Sequence, residues 1–212
     1  MRDAATVFVI DDDPSVRSAL KRLVASVGLN CETFASANEY LTRLDPAAPG
    51  CLIVDMRLPG LSGLELQEQL GRDGYHPPII FLTAYGDIKT TVRAMKGGAV
   101  DFLTKPFHEQ ELLDAVRQSV ERDREGRLKH AELTRRRELY KTLTSRERQV
   151  LALVVTGHLN KQIAAELNLS ESTVKLHRGE VMQKMEAHSV AELVSIASDL
   201  EIAAPPPTQE ST

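Results

Sequence analysis

The sequence contains no tryptophan, only two cysteines and few aromatic residues, which make up 4% of its 212 residues. Two cysteines cannot build the disulfide framework of a small secreted domain, and Cys31 and Cys51 both lie in apolar contexts typical of reduced, packed thiols. No apolar run approaches the roughly 18 residues of a membrane helix. The first run, residues 7–10, is too short for the core of a signal peptide. We therefore expect a cytoplasmic protein that does not bind membranes.

The chain also lacks an excess of positive charge. Its formal net charge is −4, and residues 144–200 hold six Lys and Arg residues against seven Asp and Glu residues. Because nucleic-acid-binding domains usually carry a basic excess, this balance argues mildly against one at the C-terminal end. Otherwise the composition is ordinary for a globular protein, with 42% hydrophobic and 26% charged residues. The length allows one large domain or two small ones.

What residues 1–124 do contain is five short apolar runs that alternate with five helix-like segments. This alternation predicts an α/β domain, a parallel sheet with helices on both faces. The count fits a flavodoxin-like, doubly wound, five-stranded sheet with strand order 2-1-3-4-5. The apolar runs are 6–10, 31–34, 51–54, 79–82 and 100–103, and the helical segments are roughly 14–27, 36–44, 62–71, 87–97 and 108–124.

Polar residues follow four of the predicted strands. They are Asp11 and Asp12 after the first strand, Asp55 after the third, Thr83 after the fourth and Lys105 after the fifth. Because the carboxyl ends of parallel strands meet at one edge of the sheet, these side chains should converge. Clustered carboxylates suit a hard cation such as Mg²⁺. A carboxylate beside a cation, a hydroxyl and an ammonium is equipped to accept a phosphoryl group.

Each of these residues alone has an ordinary structural explanation. Asp13, next to the first acid pair, is typical of a helix N-cap, and a lone aspartate after a strand is usually a turn residue. The combination in this order is far more specific than any of its parts. A phosphatase or phosphotransferase with an aspartyl intermediate is an alternative, but it needs a second acid on the same loop, which Asp55-Met56-Arg57 lacks.

The segments VFVIDDDPSVR, IVDMRLPGLSG, IIFLTAYGD and AMKGGAVDFLTKPF resemble the receiver domain of two-component response regulators, and the match covers residues 6–124. The resemblance implies that Asp55 is the phosphoacceptor. It implies that Mg²⁺ is bound by Asp11 and Asp12 together with Asp55 and the backbone carbonyl of Arg57. It also implies a switch hydroxyl, an ammonium that contacts the phosphoryl group and a switch aromatic residue, which are Thr83, Lys105 (before a cis Pro106) and Phe102.

Two bulky side chains, Arg57 and Tyr85, stand at positions that affect the loss of the phosphoryl group to water in this family. Each lies two residues beyond a predicted site residue, Asp55 or Thr83. We expect both side chains to slow hydrolysis, because bulk beside the site would obstruct an in-line water.

Residues 144–200 show four helical patterns, which predict an all-α domain. The second pattern begins at Asn160, and a short turn joins it to the third, at 171–185. This is the spacing of a helix-turn-helix, whose second helix lies in the major groove of DNA. The spacing alone also fits a small helical bundle that binds protein. The candidates for DNA contact are Asn160, Lys161, Ser172, Thr173, Lys175, His177 and Arg178.

The stretch LTSRERQVLALVVTGHLNKQIAAELNLSESTVKLHRGEVMQKMEAHS is similar to the LuxR/FixJ-type DNA-binding domain over its whole length. With both halves, the chain is identified as a member of the FixJ/NarL family of response regulators. The family implies a sensor histidine kinase, promoter DNA and RNA polymerase as partners, and a homodimer after phosphorylation. A DNA-binding protein whose receiver only dimerises, without phosphorylation, is the alternative.

The predicted organisation is a receiver domain at 1–124, a helical linker at 125–143, a helix-turn-helix domain at 144–200 and a disordered tail at 201–212. The linker is rich in charge. It is either a solvated helix or a helix that transmits the switch or helps dimerisation. Residues 135–137 are further candidates for contacts with DNA phosphates.

Overall fold

A computed structural model describes residues 5–84 and 88–202 of the chain. Tyr85 lies outside the described residues, as does the predicted tail from residue 203 onward. The chain divides into two compact units, Met1–Arg127 and Leu128–Thr212. Within the described parts of both units, no helix is at once long enough and apolar enough to cross a membrane.

The first unit contains a five-stranded parallel sheet in the order β2-β1-β3-β4-β5, which confirms the predicted doubly wound α/β fold. The strands are β1 (Thr6–Ile10), β2 (Asn30–Phe34), β3 (Gly50–Asp55), β4 (Ile79–Thr83) and β5 (Asp101–Thr104). The helices are α1 (Pro14–Ser26), α2 (Ala37–Arg43), α3 (Gly63–Arg72), α4 (Ile88–Lys96) and α5 (Glu109–Lys141), the last of which runs from the first unit into the second.

Both faces of the sheet are covered, and β3 shows how its sequence produces this. Successive strand residues point to opposite faces, so Leu52 and Val54 join one core cluster while Cys51 and Ile53 join another. All four side chains are buried. A strand that is buried on both faces reads as a continuous apolar run rather than as an alternation. This is why the run before Asp55 predicts a central parallel strand.

Cys31 and Cys51 are free thiols, as predicted. Both pair in register with Val7 of β1, one on each side. They are therefore two strand spacings apart, about 9–10 Å, which exceeds the ~7 Å between Cα atoms that a disulfide can span. Burial raises the pKa of Cys31 to about 11 and that of Cys51 to about 12, so both stay protonated and unreactive.

Side-chain caps fix the helices that begin next to the strand ends. Asp13 is the N-cap of α1, as predicted, and accepts a hydrogen bond from the amide of Ser15 at 2.7 Å. Ser62 and Glu65 form a capping box at the start of α3. At Gly63, an added Cβ would lie 2.6 Å from the backbone oxygen of Asp55. This glycine therefore allows α3 to start directly against the end of β3.

An arginine holds the last turn of α5 in the first unit. The Arg127 guanidinium donates hydrogen bonds to three successive backbone carbonyls, at residues 46–48, and to the Asp123 carboxylate at 2.7 Å. The same carboxylate oxygen accepts the amide of Gly50 at 2.9 Å. This cluster, the Arg127 clamp, ties α5 to the chain segment that leads into β3.

The second unit consists of the end of α5 and four further helices, α6 (Ser145–Val155), α7 (Asn160–Leu167), α8 (Glu171–Lys184) and α9 (Val190–Asp199). These helices confirm the predicted all-α fold. Their apolar faces enclose one core, which includes Leu151, Ile163 and Val181. Ile202, beyond α9, is partly buried against this core.

A buried acid links α6 to α8 in this unit. Glu147 completes a capping box with Thr144 at the start of α6 and is 4% exposed. The ammonium of Lys184 lies 2.7 Å and 2.8 Å from its two carboxylate oxygens. The hydrogen bond from Lys184, with those from Thr144, lowers the pKa of Glu147 below its ordinary value. The carboxylate is therefore ionised near neutral pH.

The charge-dense end of α5 folds with the second unit. Arg135 pairs with Glu186, and Arg136 pairs with Asp199. Leu139 and Tyr140 are partly buried against the core of the unit. Two of the three arginines that were candidates for phosphate contacts are therefore engaged by carboxylates of their own unit.

Candidate functional site

The ends of β1 and β3 bring three carboxylates together. Side-chain oxygens of Asp11, Asp12 and Asp55 all lie within 4.8 Å of one another. Asp11 follows β1 and is 1% exposed, whereas Asp12 is exposed and Asp55 is half-buried at the end of β3. The register explains this meeting, because Ile10 of β1 pairs with Val54 of β3. The expected convergence of these acids at one sheet edge is thus present.

The ammonium of Lys105 lies between two of these acids. Its Nζ atom is 2.7 Å from Asp11 Oδ2 and 2.6 Å from Asp55 Oδ2. Burial alone would lower the pKa of Lys105, but the hydrogen bonds to the two carboxylates raise it above its ordinary value. Burial raises the pKa of Asp11, and the hydrogen bond from Lys105 opposes that rise. The lysine is therefore a fixed positive charge at the site.

Backbone hydrogen bonds place the remaining predicted residues at the same edge. The amide of Lys105 donates to the carbonyl of Thr83 at 2.7 Å, and the Thr83 side chain is buried. The peptide bond between Lys105 and Pro106 is cis, as the resemblance implied. Phe102, in register with Phe81 of β4, is partly buried against the core. Thr83 and Phe102 thus lie on adjacent strands, β4 and β5, and their switch roles stay predictions.

The loop after β3 orients the Asp55 carboxylate. The amide of Arg57 donates a hydrogen bond to Asp55 Oδ1 at 2.8 Å. The other oxygen, Oδ2, contacts Lys105. Because each oxygen has a fixed donor, the carboxylate is held in one orientation. The roles of the Arg57 carbonyl as a metal ligand and of its side chain in slowing hydrolysis stay predictions.

Arg17 is a residue of this site that the sequence analysis missed. Its Nη1 atom donates to the backbone carbonyl of Asp11 at 2.7 Å and to that of Asp12 at 2.9 Å. It thereby holds the turn that carries both acids. The sequence shows only that Arg17 lies one helical turn beyond the N-cap of α1, and it does not show the backbone carbonyls that Arg17 binds.

The donor set of the site fits a hard divalent cation. Three carboxylates supply only oxygen, which Mg²⁺ prefers over nitrogen and sulfur ligands. Asp12 is exposed, so water and a phosphate group can also reach the cluster. Asp11, Asp12 and Asp55 are therefore the residues equipped to hold such an ion.

The second unit contains the helix-turn-helix that the sequence predicts. Asn168 caps the C-terminal end of α7 and adopts a left-handed conformation with φ 53°. Ser170 caps α8 and accepts the amide of Thr173 at 3.1 Å. The hydroxyls of Ser172 and Thr173 both lie within 2.8 Å of the Ser170 hydroxyl. The start of α8 thus presents three neighbouring hydroxyl groups.

The structure joins two of the predicted DNA contacts to each other. Arg178 Nη1 donates a hydrogen bond to Asn160 Oδ1 at 2.6 Å, between α8 and the first residue of α7. Because the asparagine is neutral, Arg178 keeps its charge for an anion. Lys161 and Lys175 are exposed, and His177 is half-buried. Asn160 therefore orients Arg178 as well as being a candidate contact itself.

One face of α8 is exposed along its length. Its residues recur at helical spacing and are Ser172, Lys175, Leu176, Gly179 and Gln183, which we call the recognition face. Val174 and Val181 lie on the opposite, buried side. The sequence analysis named Ser172 and Lys175 but missed the other three members. A helical-wheel projection of α8 would have identified them, because they fall on the side opposite to Val174 and Val181.

Comparison with known proteins gives the same division of the chain. Residues 7–117 match the family described as response regulator receiver domain, and residues 141–197 match that described as bacterial regulatory proteins, luxR family.

Full-length relatives contain both parts. Nodulation protein W of Bradyrhizobium diazoefficiens is 53% identical over 94% of this chain and 88% of its own length. The transcriptional regulatory protein FixJ of Azorhizobium caulinodans is 44% identical over 93% of each chain. The low-resolution structure of the response regulator StyR superposes with a TM-score of 0.82 at 49% identity, covering 92% of this chain and 98% of that one. The chain is therefore a response regulator of the FixJ/NarL family, a transcriptional regulator of two-component systems with a receiver domain and a LuxR-type helix-turn-helix DNA-binding domain.

Proposed function

We propose that this regulator is switched by transfer of a phosphoryl group from a sensor histidine kinase to Asp55. The observation that carries the proposal is the position of the Lys105 ammonium, 2.6 Å from Asp55 Oδ2 and 2.7 Å from Asp11 Oδ2. A fixed positive charge at the acceptor oxygen stabilises the charge of a transferring phosphoryl group.

In the proposed transfer, a carboxylate oxygen of Asp55 forms a bond to phosphorus while the bond from phosphorus to the kinase histidine nitrogen breaks. The electron pair of that bond stays on the nitrogen, and because the other ring nitrogen of the phosphohistidine carries a proton in this step, the histidine leaves as neutral imidazole. The Lys105 ammonium and the Thr83 hydroxyl then bind oxygens of the phosphoryl group. Asp55 is the covalent acceptor and Lys105 the electrostatic stabiliser.

We assign Mg²⁺ to Asp11, Asp12 and Asp55, with the backbone carbonyl of Arg57 as a further ligand. The support is the cluster of carboxylate oxygens within 4.8 Å of one another. When bound, Mg²⁺ would neutralise charge on the phosphoryl oxygens. Two acids in addition to Asp55 would keep holding the ion after transfer, because the Asp55 carboxylate loses its own negative charge once it is phosphorylated.

The proposed switch runs from Thr83 and Phe102 to the surface of α4 and β5. Rearrangement of the Thr83 hydroxyl toward the phosphoryl group leaves room for a different position of Phe102, which lies on the adjacent strand. We propose that the changed surface favours a homodimer rather than releasing an inhibitory contact. An unchanged sedimentation coefficient with a phosphoryl mimic bound would contradict this step.

The dimer would place two α8 helices in successive major grooves of promoter DNA. Asn160, Lys161, Ser172, Thr173, Lys175, His177 and Arg178 are the proposed contacts, and α9 supports the dimer. Bound in this way in the cytoplasm, the regulator would recruit RNA polymerase. The protein acts as a switch rather than as an enzyme with a released product of its own.

The test is the affinity for promoter duplexes of wild type and Asp55→Asn, each with and without a small phosphodonor and Mg²⁺. We expect the donor to tighten DNA binding by wild type and to leave that by Asp55→Asn unchanged. Asp73→Asn, which changes an exposed carboxylate at the end of α3, is the matched control and should behave as wild type. Equal affinities under all conditions would show that the receiver does not control DNA binding.

A further inference from the structure

The helix α4 buries little of its own surface. Of its residues 88–96, all of which the structure describes, Ala94 is the one that is fully buried. Three large apolar side chains are instead exposed, Ile88 by 82%, Val92 by 46% and Met95 by 44%. An element with few buried apolar contacts has low local stability. The position of α4 therefore depends on a small number of specific contacts.

The neighbouring helix α3 supplies two such contacts. Gln67 is 8% exposed, and its Nε2 atom donates a hydrogen bond to the backbone carbonyl of Ala94 at 3.1 Å. The next residue, Glu68, accepts hydrogen bonds from the Arg93 guanidinium at 2.6 Å and 3.1 Å. Both contacts reach the C-terminal half of α4. We call these four residues the α3–α4 clamp.

A glycine directly after α4 makes room for the Gln67 side chain. An added Cβ at Gly97 would lie 2.7 Å from Oε1 and 2.8 Å from Cδ of Gln67, closer than Cβ atoms approach other atoms in proteins. Gly97 is not among the glycines with positive φ, so its backbone conformation does not require a glycine. The close approach of the Gln67 amide does.

The hydrogen bond from Gln67 is not needed to complete the helix. The carbonyl of Ala94 also accepts the amide of Ala99 at 3.1 Å, so it stays hydrogen bonded without Gln67. A buried polar side chain costs free energy unless it finds a partner, and an apolar side chain would fill the same space without that requirement. Gln67 therefore specifies where α4 lies rather than whether it folds.

We infer that the α3–α4 clamp holds α4 in its resting position and is released on phosphorylation, so that Gln67 sets the ratio of resting to activated receiver. The inference rests on the proposed function, in which the surface of α4 changes. It adds a positioning residue that lies on α3, outside the acid cluster. Loosening the clamp should favour the activated state, and should thereby tighten the binding of any ligand that prefers that state.

The experiment measures the affinity of the full chain for beryllofluoride, a phosphoryl mimic, by calorimetry at saturating Mg²⁺. Gln67→Leu should bind the mimic roughly three- to tenfold more tightly than wild type, the factor for one buried hydrogen bond. In sedimentation it should also dimerise at a lower concentration of the mimic. Gln69→Leu changes a half-buried glutamine of the same helix and is the matched control, with wild-type affinity.

Gly97→Ala tests the same hydrogen bond from the other helix. Its new Cβ should displace the Gln67 amide from the carbonyl of Ala94, so this variant should also bind the mimic more tightly. In a Gln67→Ala background the same change should add nothing, because the contact is already lost. Gly71→Ala is the control, since an added Cβ there makes an ordinary contact with His76 at 3.5 Å.

The exposed half of the clamp can be tested by exchanging its charges. Glu68→Arg and Arg93→Glu, each alone, should speed amide hydrogen exchange in α4 of the protein without the mimic by about twofold, the scale of an exposed ion pair. The two changes together restore a pair of reversed order and should return the exchange rate to that of wild type. Faster exchange in the combination than in either single variant would remove this pair from the clamp.

Wild-type affinity of Gln67→Leu for the mimic would show that the contact serves folding alone, and would overturn the inference. Weaker binding would place the clamp in the activated state and would overturn it as well. In both cases, binding of the mimic by wild type leaves the proposed function standing. If wild type itself binds no mimic, the proposed function fails and the inference fails with it.

Discussion

The acid cluster and the recognition face place their functional groups in opposite surroundings. Asp11 is 1% exposed and hydrogen bonded on both carboxylate oxygens, to Lys105 and to the amide of Asp13. Leu176 is 62% exposed. The first site is built from the ends of separate strands, whereas the second is built from successive turns of one helix.

Because of this difference, substitutions at the two sites have different costs in folding free energy. A substitution in the acid cluster disturbs buried ion pairs and backbone hydrogen bonds, which also hold the sheet edge together. A substitution on the recognition face changes side chains that are exposed, so it costs little folding free energy. The chemistry of phosphorylation is thus tied to the fold, while the DNA sequence that is read is not.

The largest effect, a loss of folding stability, should come from truncating one core leucine in each unit. Leu52→Ala in the receiver and Leu151→Ala in the DNA-binding unit remove fully buried side chains. Each should lower the free energy of unfolding by about 2–5 kcal/mol. We would measure phosphoryl incorporation and DNA binding at increasing urea concentrations. Leu52→Ala should lose phosphoryl incorporation at a lower urea concentration than DNA binding, and Leu151→Ala should show the reverse order. Loss of both activities at one urea concentration in both variants would contradict this separation.

A smaller effect is expected at the phosphoryl-accepting edge. Lys105→Ala should slow phosphorylation by a small donor by about ten- to hundredfold, since hydrogen bonds to charged groups contribute roughly 1.5–3 kcal/mol. Donor consumption at saturating Mg²⁺ measures the rate. Lys96→Ala, at an exposed lysine in α4, should keep the wild-type rate. A normal rate in Lys105→Ala would remove the lysine from the transfer step.

The Glu147–Lys184 ion pair should stabilise the DNA-binding unit at neutral pH and lose this effect in acid. The pKa of Glu147 is lowered in the folded state, so its stabilisation is complete above its ordinary value of 4.5 and is lost as pH falls through the folded-state pKa. Glu147→Gln should cost about 1–3 kcal/mol near neutral pH.

Urea midpoints of the second unit between about pH 7 and about pH 3 test this. The difference between wild type and Glu147→Gln should shrink as the pH falls. A constant difference over the whole range would show that the charge of Glu147 does not contribute, and that only its shape matters.

The smallest effect should be at Arg17, which positions two acids without touching the phosphoryl group. Arg17→Lys keeps the charge but loses the two fixed bonds to the carbonyls of Asp11 and Asp12. We expect Mg²⁺ affinity to fall by roughly three- to tenfold, the value of about one hydrogen bond. Titration calorimetry of the protein alone measures it, with Arg22→Lys in α1 as control. Tighter binding by Arg17→Ala would mean that repulsion between charges outweighs positioning.

Much of the fold and of the site at the sheet edge could be predicted, because the spacing of apolar residues along the sequence indicates the strands and helices. The run before Asp55 predicted a central strand, and parallel strands share an edge, so the meeting of Asp11, Asp55 and Lys105 followed. The Arg17 bonds to carbonyls did not follow, because backbone acceptors leave no trace in the residue types. The Asn160–Arg178 bond and the two arginine pairs of α5 depend on how helices pack, which helical periodicity alone does not fix.

The Arg127 clamp also determines where this protein can be recombined with others. A receiver cut before Arg127 would lose the bonds to three carbonyls that secure α5 at the base of β3. A DNA-binding half that begins after Arg136 would lose its pairs with Glu186 and Asp199. Glu132 also pairs with Arg136, at 2.9 Å. The junction for exchanging the DNA-binding half between proteins therefore falls within the few residues that follow Arg127 and precede Glu132. A chimera joined there, with the helical phase of α5 preserved, keeps both sets of anchors.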